Sequence, residues 1–357
     1  MSGPAVKHDE IVGSLRQRII DGIYLPGSQL PTRAKLETSF DASSVTIQRA
    51  LDSLVEDGFV VPRGRNGTFV APRPPHLSHY GVVFPYRPKK GKRWPPFWQA
   101  IANEAAVLNR GGTKKLSLFY DVEDQIHSDA TDYRELLDSV VKQRLAGLFF
   151  VVDPIQLSNT PVVQFPGLPR VTICDHKPKD VMRAIVLSTE SQFRKSLAYF
   201  SSRGRRLLAV LGVSRIVGAY ESLLPRLLKE YDMESRPYWI QGIDLDCTET
   251  ARNCIHLLMH RGQDVRPDAL YIADDNFIEH ASAGLIEAAV RVPHDLEVVA
   301  HCNFPWLTPS KLPVKRVGFD ARTVLATALS LIDGLRRSDN VPQRTQVEAV
   351  LDDDALS

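Results

Sequence analysis

The chain has 357 residues, 43% hydrophobic and 24% charged, which is too long for one ordinary domain and apolar enough to bury a full core. Its 44 basic and 42 acidic side chains leave a formal charge of +2, so overall charge selects no class of partner. No apolar run is long enough to span a bilayer, no apolar leader opens the chain, and Cys174, Cys247, Cys254 and Cys302 form no C-x-x-C pair; the expectation is a cytoplasmic protein with free thiols and no membrane partner.

Ile11, Leu15, Ile19 and Ile20 recur at helical spacing and predict a first amphipathic helix that breaks at Asp21-Gly22. Pro26-Gly27 makes a turn before Leu30-Pro31. A second helix is predicted from about Thr32 to Phe40, with Leu36 and Phe40 inward and Arg33 and Lys35 outward. From Ser43 a third helix buries Ile47, Leu51, Leu54 and Val55 and turns Ser44, Thr46, Gln48 and Arg49 the other way. Ser43 and Ser44 can cap its first turn, leaving backbone N–H groups suited to a phosphate. Gln48 can pair bidentately with adenine and Arg49 with guanine. Two short strands, 59–61 and 68–70, follow, joined by Arg63-Gly64-Arg65-Asn66-Gly67, in which Asn-Gly is a strong hairpin signal. A basic hairpin beside a polar-nosed helix is a wing able to lie along a phosphate backbone or enter the minor groove. Residues 1–75 hold nine Lys or Arg against eight Asp or Glu, so affinity for DNA must come from local placement.

These residues resemble the GntR family of bacterial winged helix-turn-helix regulators. The family pattern G-x-x-x-P-G-x-x-L-P is matched from Gly22 to Pro31, and S-x-x-T-V/I-x-x-A-L-x-x-L by Ser43, Thr46, Ile47, Ala50, Leu51 and Leu54. Gly58 follows, and the wing pattern is met from Arg65 to Val70. The chain departs at Ser44 and Ala34, where the family usually has arginine; Arg33 can replace the second of these phosphate contacts. The resemblance implies a winged helix-turn-helix domain over 5–72 that binds double-stranded operator DNA through Thr32, Arg33, Ser43, Ser44, Thr46, Gln48, Arg49, Arg65, Asn66 and Gly67.

Ala71-Pro72-Arg73-Pro74-Pro75-His76 then predicts a semi-extended, proline-rich linker over 73–78, because its prolines oppose both helix and central strand. Beyond it apolar runs at 80–84, 116–120, 147–152, 170–174, 207–211, 238–241, 269–273 and 296–301 alternate with amphipathic helices at 97–109, 133–143, 191–202, 219–231, 248–260, 277–290 and 321–336. Such alternation predicts parallel sheets covered on both faces, and a region of this length divides into two lobes. The overall fold class is therefore multidomain: a small α+β head followed by a two-lobed α/β body over 79–350.

Within this body, Arg203-Gly204-Arg205-Arg206-Leu207, Val210-Leu211-Gly212, Arg215-x-x-Gly218-x-Tyr220, Ala273-Asp274-Asp275 and the run from Val292 to Val299 resemble the effector domain of the LacI family, a fold like the type I periplasmic sugar-binding proteins. The resemblance implies a ligand between the lobes, with Arg215 holding hydroxyls and Asp275 standing as the aspartate of the family's Asn-Asp pair, whose Asn is Asp274 here. An Arg and an Asp facing each other across a cleft suit a polyol. Ligands of open α/β sheets bind beyond the carboxyl ends of strands, which adds Tyr86, Arg87, Phe97, Trp98, Asp121, Asp153, Asp175 and Asn303 as candidates. Aromatic faces there can stack on a sugar ring. For Phe97, Trp98 and Asp121, core packing or loop capping accounts for the residues equally well, and Asp153 and Asp175 also fit as strand-end caps.

Residues 63–93 carry eight Lys or Arg and no acid, ending in Arg87-Pro88-Lys89-Lys90-Gly91-Lys92-Arg93. A solvated loop explains this run, and so does a bias of the cleft toward an anionic sugar derivative. There is no G-x-S-x-G elbow, no Walker loop and no H-E-x-x-H, so no catalytic residues and no cofactor are expected. His256 and His260 with Cys254 lie among apolar neighbours, which favours an ordinary helix over a metal site. The expected protein is a homodimeric transcription repressor on a pseudo-palindromic operator, released or retained by a sugar or sugar derivative. A constitutive regulator whose body serves only dimerisation or partner docking is the alternative.

Overall fold

The structure, a computed structural model, describes residues 4–88, 94–122, 131–178 and 181–355. The head comprises α1 (Pro4–Ile20), α2 (Arg33–Phe40), α3 (Ser44–Glu56), and the hairpin β1 (Val60–Pro62) with β2 (Thr68–Val70). Ile11, Leu15 and Ile19 of α1 close over Leu36 of α2 and over Ile47, Ala50, Leu51 and Leu54 of α3. The buried positions of α3 are thus i, i+3, i+4 and i+7, one face of an α-helix. Each of these large aliphatic side chains contributes roughly 1.5–3 kcal/mol by leaving water. Val55, expected inside, is 37% exposed: the buried stripe centres on Ile47, Ala50, Leu51 and Leu54, and Val55 stands at its outer edge.

In the wing, β1 and β2 pair antiparallel from Val60↔Val70 to Pro62↔Thr68. Asn66-Gly67 does not form a two-residue hairpin turn. A single 3₁₀ turn at Gly64–Asn66 joins the strands instead, with Gly64 at φ 56° and Gly67 at φ 94°. Both angles favour glycine.

The expectation of a semi-extended linker is corrected. Residues Pro75–Ser78 form one helical turn, α4, with proline in its first turn, where the missing N–H would have no partner in any case. His76 is buried there, its ring stacked on Phe59 of the head at 5.6 Å between centroids, and Arg336 of the body donates to its carbonyl at 3.2 Å. Below this turn, Asp57 at the end of α3 accepts from Arg16 of α1 at 2.7 Å and from Arg144 of the body at 3.3 Å.

The first lobe holds β3 (His79–Val83), α5 (Pro96–Arg110), β4 (Lys115–Phe119), α6 (Thr131–Val141), β5 (Gly147–Phe150), α7 (Pro161–Gln164), β6 (Arg170–Ile173) and β7 (Arg183–Leu187). The chain crosses to the second lobe through α8 (Thr189–Ser202), β8 (Leu207–Val213), α9 (Ser214–Glu230), β9 (Glu234–Ile243), α10 (Thr250–Leu258), β10 (Ala269–Ile272), α11 (Ile278–Glu287), β11 (Glu297–Phe304) and β12 (Lys315–Asp320). It returns through α12 (Ala321–Arg336) and β13 (Arg344–Val347), and closes in the second lobe with β14 (Val350–Leu351) and α13 (Asp352–Ala355). Strand order is β13-β7-β6-β5-β3-β4 in one sheet and β14-β12-β11-β10-β8-β9 in the other. All pairs are parallel except β12 with β14. Three crossings therefore tie the lobes together, and the carboxyl ends of both sets of parallel strands supply the cleft residues.

Four of these strands, β7, β12, β13 and β14, were not expected. β12, β13 and β14 open on charged residues or lie at a sheet edge and carry no long apolar run, whereas β7 does carry one, Ala184 to Leu187, cut short by Arg183 and Ser188. α9 starts at Ser214 rather than near Ala219, which puts Arg215 in the first turn of a helix. Gly147 shows why β5 begins with glycine: a Cβ there would stand 2.4 Å from Ile332 of α12 and 2.8 Å from the Pro169 carbonyl. No helix among the described residues is long and apolar enough to cross a membrane.

Candidate DNA face and ligand cleft

Residues Thr32 to Arg49 gather at the amino ends of α2 and α3. Thr32 caps α2, its hydroxyl accepting from Lys35 N at 3.4 Å; Ser43 caps α3, accepting from Thr46 N at 3.2 Å. Ser44 lies in the first turn of α3 and is exposed, as are Thr32, Arg33, Ser43 and Arg49. Gln48 is not free: its amide oxygen accepts from Arg33 and its amide nitrogen donates to Asp52 at 2.6 Å. Arg33 thus reaches across from α2 to the polar face of α3. In the wing, Arg65 and Asn66 are exposed and Gly67 is half-buried, while Gln29 donates to the Asn66 carbonyl at 2.8 Å and fixes the turn. Arg63 lies over the ring of Phe69 at 4.5 Å. Two capped helix ends and a basic turn can offer N–H donors and guanidinium groups to phosphates and base edges.

In the first lobe an aromatic nest forms at the end of β3. Tyr86 meets Trp98 edge-on at 4.7 Å, and Phe84 stands 5.1 Å from Trp94 and 5.2 Å from Tyr120. Phe97, like Trp98, is half-buried and packed against the main core cluster. Asp121 is engaged from the side: Arg87 binds it and also reaches Asp132 at 3.1 Å. The rest of the basic run, Lys89, Lys90, Gly91, Lys92 and Arg93, lies outside the described residues. Burial and Asp246 raise the pKa of the Tyr86 phenol while Arg215 opposes them, so this tyrosine of the first lobe senses two charges of the second. Trp306, on the connection after β11, donates its indole N–H to Glu104 of α5 at 2.7 Å.

Arg215 and Asp275 do not face each other across the cleft. Both belong to the second lobe, following β8 and β10, which are neighbours in one sheet. Asp275 is buried and accepts from Asn303 Nδ2 at 2.9 Å and from Thr308 Oγ1 at 3.1 Å, with His301 Nδ1 3.9 Å away. Burial by itself would lower the pKa of His301, but its contact with Asp275 and the nearby charge of Asp274 raise it overall. Burial and the Asp275 charge push the neighbouring Asp274 carboxyl up. Asn303 is fully buried, and its Oδ1 has no hydrogen-bond partner among the described residues.

At the ends of β5 and β6, Asp153 pairs with the ring of His176, while Asp175 is exposed, touching His176 at 3.4 Å and accepting from Arg344 through its carbonyl. His256 is an ion-pair partner of Glu287 at 2.9 Å on an exposed helix face. Glu104, Asp246, His301, Trp306 and Thr308 were not among the expected site residues, although all but Glu104 lie at or soon after the end of an expected or observed strand.

Residues 7–70 match the family described as bacterial regulatory proteins, gntR family. Over 67 residues the chain is 37% identical to the "Probable fructoselysine utilization operon transcriptional repressor" of Escherichia coli, covering 18% of this chain and 28% of that protein. It is 39% identical over 67 residues to the galactonate operon transcriptional repressor of Escherichia coli, covering 19% and 29%. The chain thus spans less than a third of the length of these curated relatives, and the likeness lies in the head. The body is similar in fold to solved LacI family transcriptional regulators. One from Lactobacillus casei, with bound glucose, superposes with a TM-score of 0.55 at 17% identity over 77% of this chain and 97% of that one. One from Arthrobacter sp. FB24, in complex with lactose, gives 0.57 at 15% identity over 77% and 97%. The chain therefore joins a gntR-type helix-turn-helix domain to a two-sheet body of LacI-regulator fold.

Proposed function

We propose that the chain is a DNA-binding transcription repressor that works as a homodimer on a pseudo-palindromic operator and is controlled by a sugar or sugar derivative in the cleft. The observation that carries the reading is the exposed, N-capped nose of α3 beside a basic wing, within residues that match the gntR family. Arg49, with Gln48 oriented by Arg33, contacts base edges. Thr46 joins them at the base edges, while Thr32, Ser43, Ser44, Arg65, Asn66 and Gly67 meet the backbone. The two relatives named as operon repressors support repression, and the sugar-bound regulators of like fold support a sugar effector.

In the cleft, Tyr86 and Trp98 supply a stacking face and Arg215 a charge-assisted donor, which suits a polyol bearing an acid or phosphate group. Asp121, Asp175, Asp275 and Asn303 act less directly, since Asp121 and Asp275 are held by protein partners, Asn303 is buried and Asp175 points to solvent. That sealing of Asp275 is also what favours the second reading, a constitutive regulator whose body serves dimerisation or partner docking.

Selection of bound duplexes from a random library, followed by anisotropy titration with the full chain, tests the reading. One enriched palindrome with salt-dependent affinity is expected; absence of any sequence preference would refute it. A thermal-shift screen of sugars, sugar acids and sugar phosphates then separates the two readings, since only the first expects a stabilising ligand that Arg215→Ala abolishes.

A further inference from the structure

β5 and β6 run parallel with Phe150 opposite Thr172, so the residues that follow each strand emerge side by side at the carboxyl edge of the first sheet. Asp153 comes from one, and Cys174 and His176 from the other. A carboxylate oxygen of Asp153, the thiol sulfur of Cys174 and a ring nitrogen of His176 all lie within 4.8 Å of one another. The imidazole Nε2 is bonded to the Asp153 carboxylate, and the Cys174 thiol donates to the His176 carbonyl at 3.4 Å. Three donors of different chemistry therefore lie side by side, two of them, Asp153 and His176, already in contact.

We propose that Asp153, Cys174 and His176 bind a divalent transition-metal ion of the zinc class. The donor set selects the class. One sulfur, one imidazole nitrogen and one carboxylate oxygen match borderline cations, whereas magnesium and calcium require oxygen throughout. Metal–ligand bonds of about 2.0–2.3 Å in a tetrahedron place ligand atoms roughly 3.5 Å apart, so side-chain adjustments of about 1 Å close the set.

Exposure is graded across the site. The Asp153 side chain is 14% exposed and that of His176 53%, while Cys174 is buried, so the sulfur anchors the ion from below and the imidazole closes over it from solvent. Three protein ligands leave a fourth position open, as in exchangeable rather than purely structural zinc sites. Binding converts the Cys174 thiol to thiolate and releases its proton to solvent. With a neutral imidazole, the two anionic ligands then balance the dication.

The ordinary reading of the same residues is an exposed His–Asp ion pair over a buried thiol, and the two make different spectra. The test uses the full-length chain, reduced and stripped of metal, titrated with Co²⁺ in the absence of DNA, so it does not depend on the regulatory reading. One ion per chain is expected, with the thiolate-to-cobalt charge-transfer band and the intense visible bands of a tetrahedral site, both displaced by Zn²⁺. Cys174→Ser, nearly isosteric, should abolish the thiolate band, and His176→Ala and Asp153→Asn should weaken Co²⁺ binding at least about tenfold. Cys247→Ser, which removes an exposed thiol elsewhere, should change neither. Absence of a thiolate band in the unaltered chain, its survival in Cys174→Ser, or its loss in Cys247→Ser would each overturn the site.

Discussion

The polar residues at the tips of α2 and α3 come from a single stretch of chain, Thr32 to Arg49, and most stand in solvent. Those around Asp275 come from the ends of β10 and β11 and the loop beyond, and they are closed over by the second lobe. The first arrangement leaves its groups ready for a partner that arrives from outside. The second satisfies its charges internally, so its contribution is to hold the cleft wall in one geometry. Removing a residue should therefore cost recognition in the head and stability in the body.

The largest effect expected from this contrast is at Asp275. Asp275→Ala leaves Asn303 and Thr308 without their shared acceptor and His301 without its facing carboxylate, and should cost about 3–5 kcal/mol, read from urea unfolding of the full chain followed by a probe in the body. Arg49→Ala should change the same curve by less than about 0.5 kcal/mol. Equal costs at the two positions would erase the distinction.

Next in size is the junction between the two regions. Burial and the nearby Arg336 lower the His76 pKa to about 4 from its ordinary 6.5. Between those values the unfolded chain binds a proton that the folded chain refuses, so stability rises with pH through this window and is lost as pH falls through it. Up to about 3 kcal/mol is at stake. His76→Phe, which keeps a ring against Phe59, should flatten the stability profile between pH 6.5 and pH 4 relative to the unaltered chain. Parallel profiles for the two proteins would show that His76 is not the group responsible.

Smallest are the changes on the DNA face. Arg49→Ala should lose about 1–3 kcal/mol on the selected operator and relax preference at one base pair. Arg65→Ala should weaken all duplexes together and lower the salt slope by about one. Gln48→Ala should also release Arg33, so its effect should shrink in an Arg33→Ala background; strictly additive losses would argue that the contact between them carries no orientation.

The head was largely legible in the sequence because its determinants are local. Periodic Ile47, Leu51 and Leu54, the cap at Ser43 and the glycines of the wing all lie within a few residues of the structure they specify. What differed was also local: Val55 stands at the exposed edge of the α3 stripe rather than inside it, and proline at 75 starts a helical turn rather than opposing one. The parallel sheets of the body could be anticipated from apolar runs, but not the edge strands β13 and β14 or their neighbours β7 and β12, nor the crossings they imply. The cleft was least legible. Asp275 reads as a ligand residue until Asn303 and Thr308, 28 and 33 positions on, are seen to occupy it. Likewise Asp153 and His176 are separated by 23 positions and meet only because β5 and β6 are neighbours.

The central claim is that the exposed face and the cleft are coupled. Its most direct test is reciprocal: the affinity of the full chain for its selected operator is measured with and without the sugar that stabilises it most, and the affinity for that sugar with and without the operator. Equal factors are expected in the two directions, about 5–150-fold, vanishing together in Arg215→Ala. A sugar that binds in the cleft yet leaves operator affinity unchanged would contradict it and leave the constitutive reading in its place.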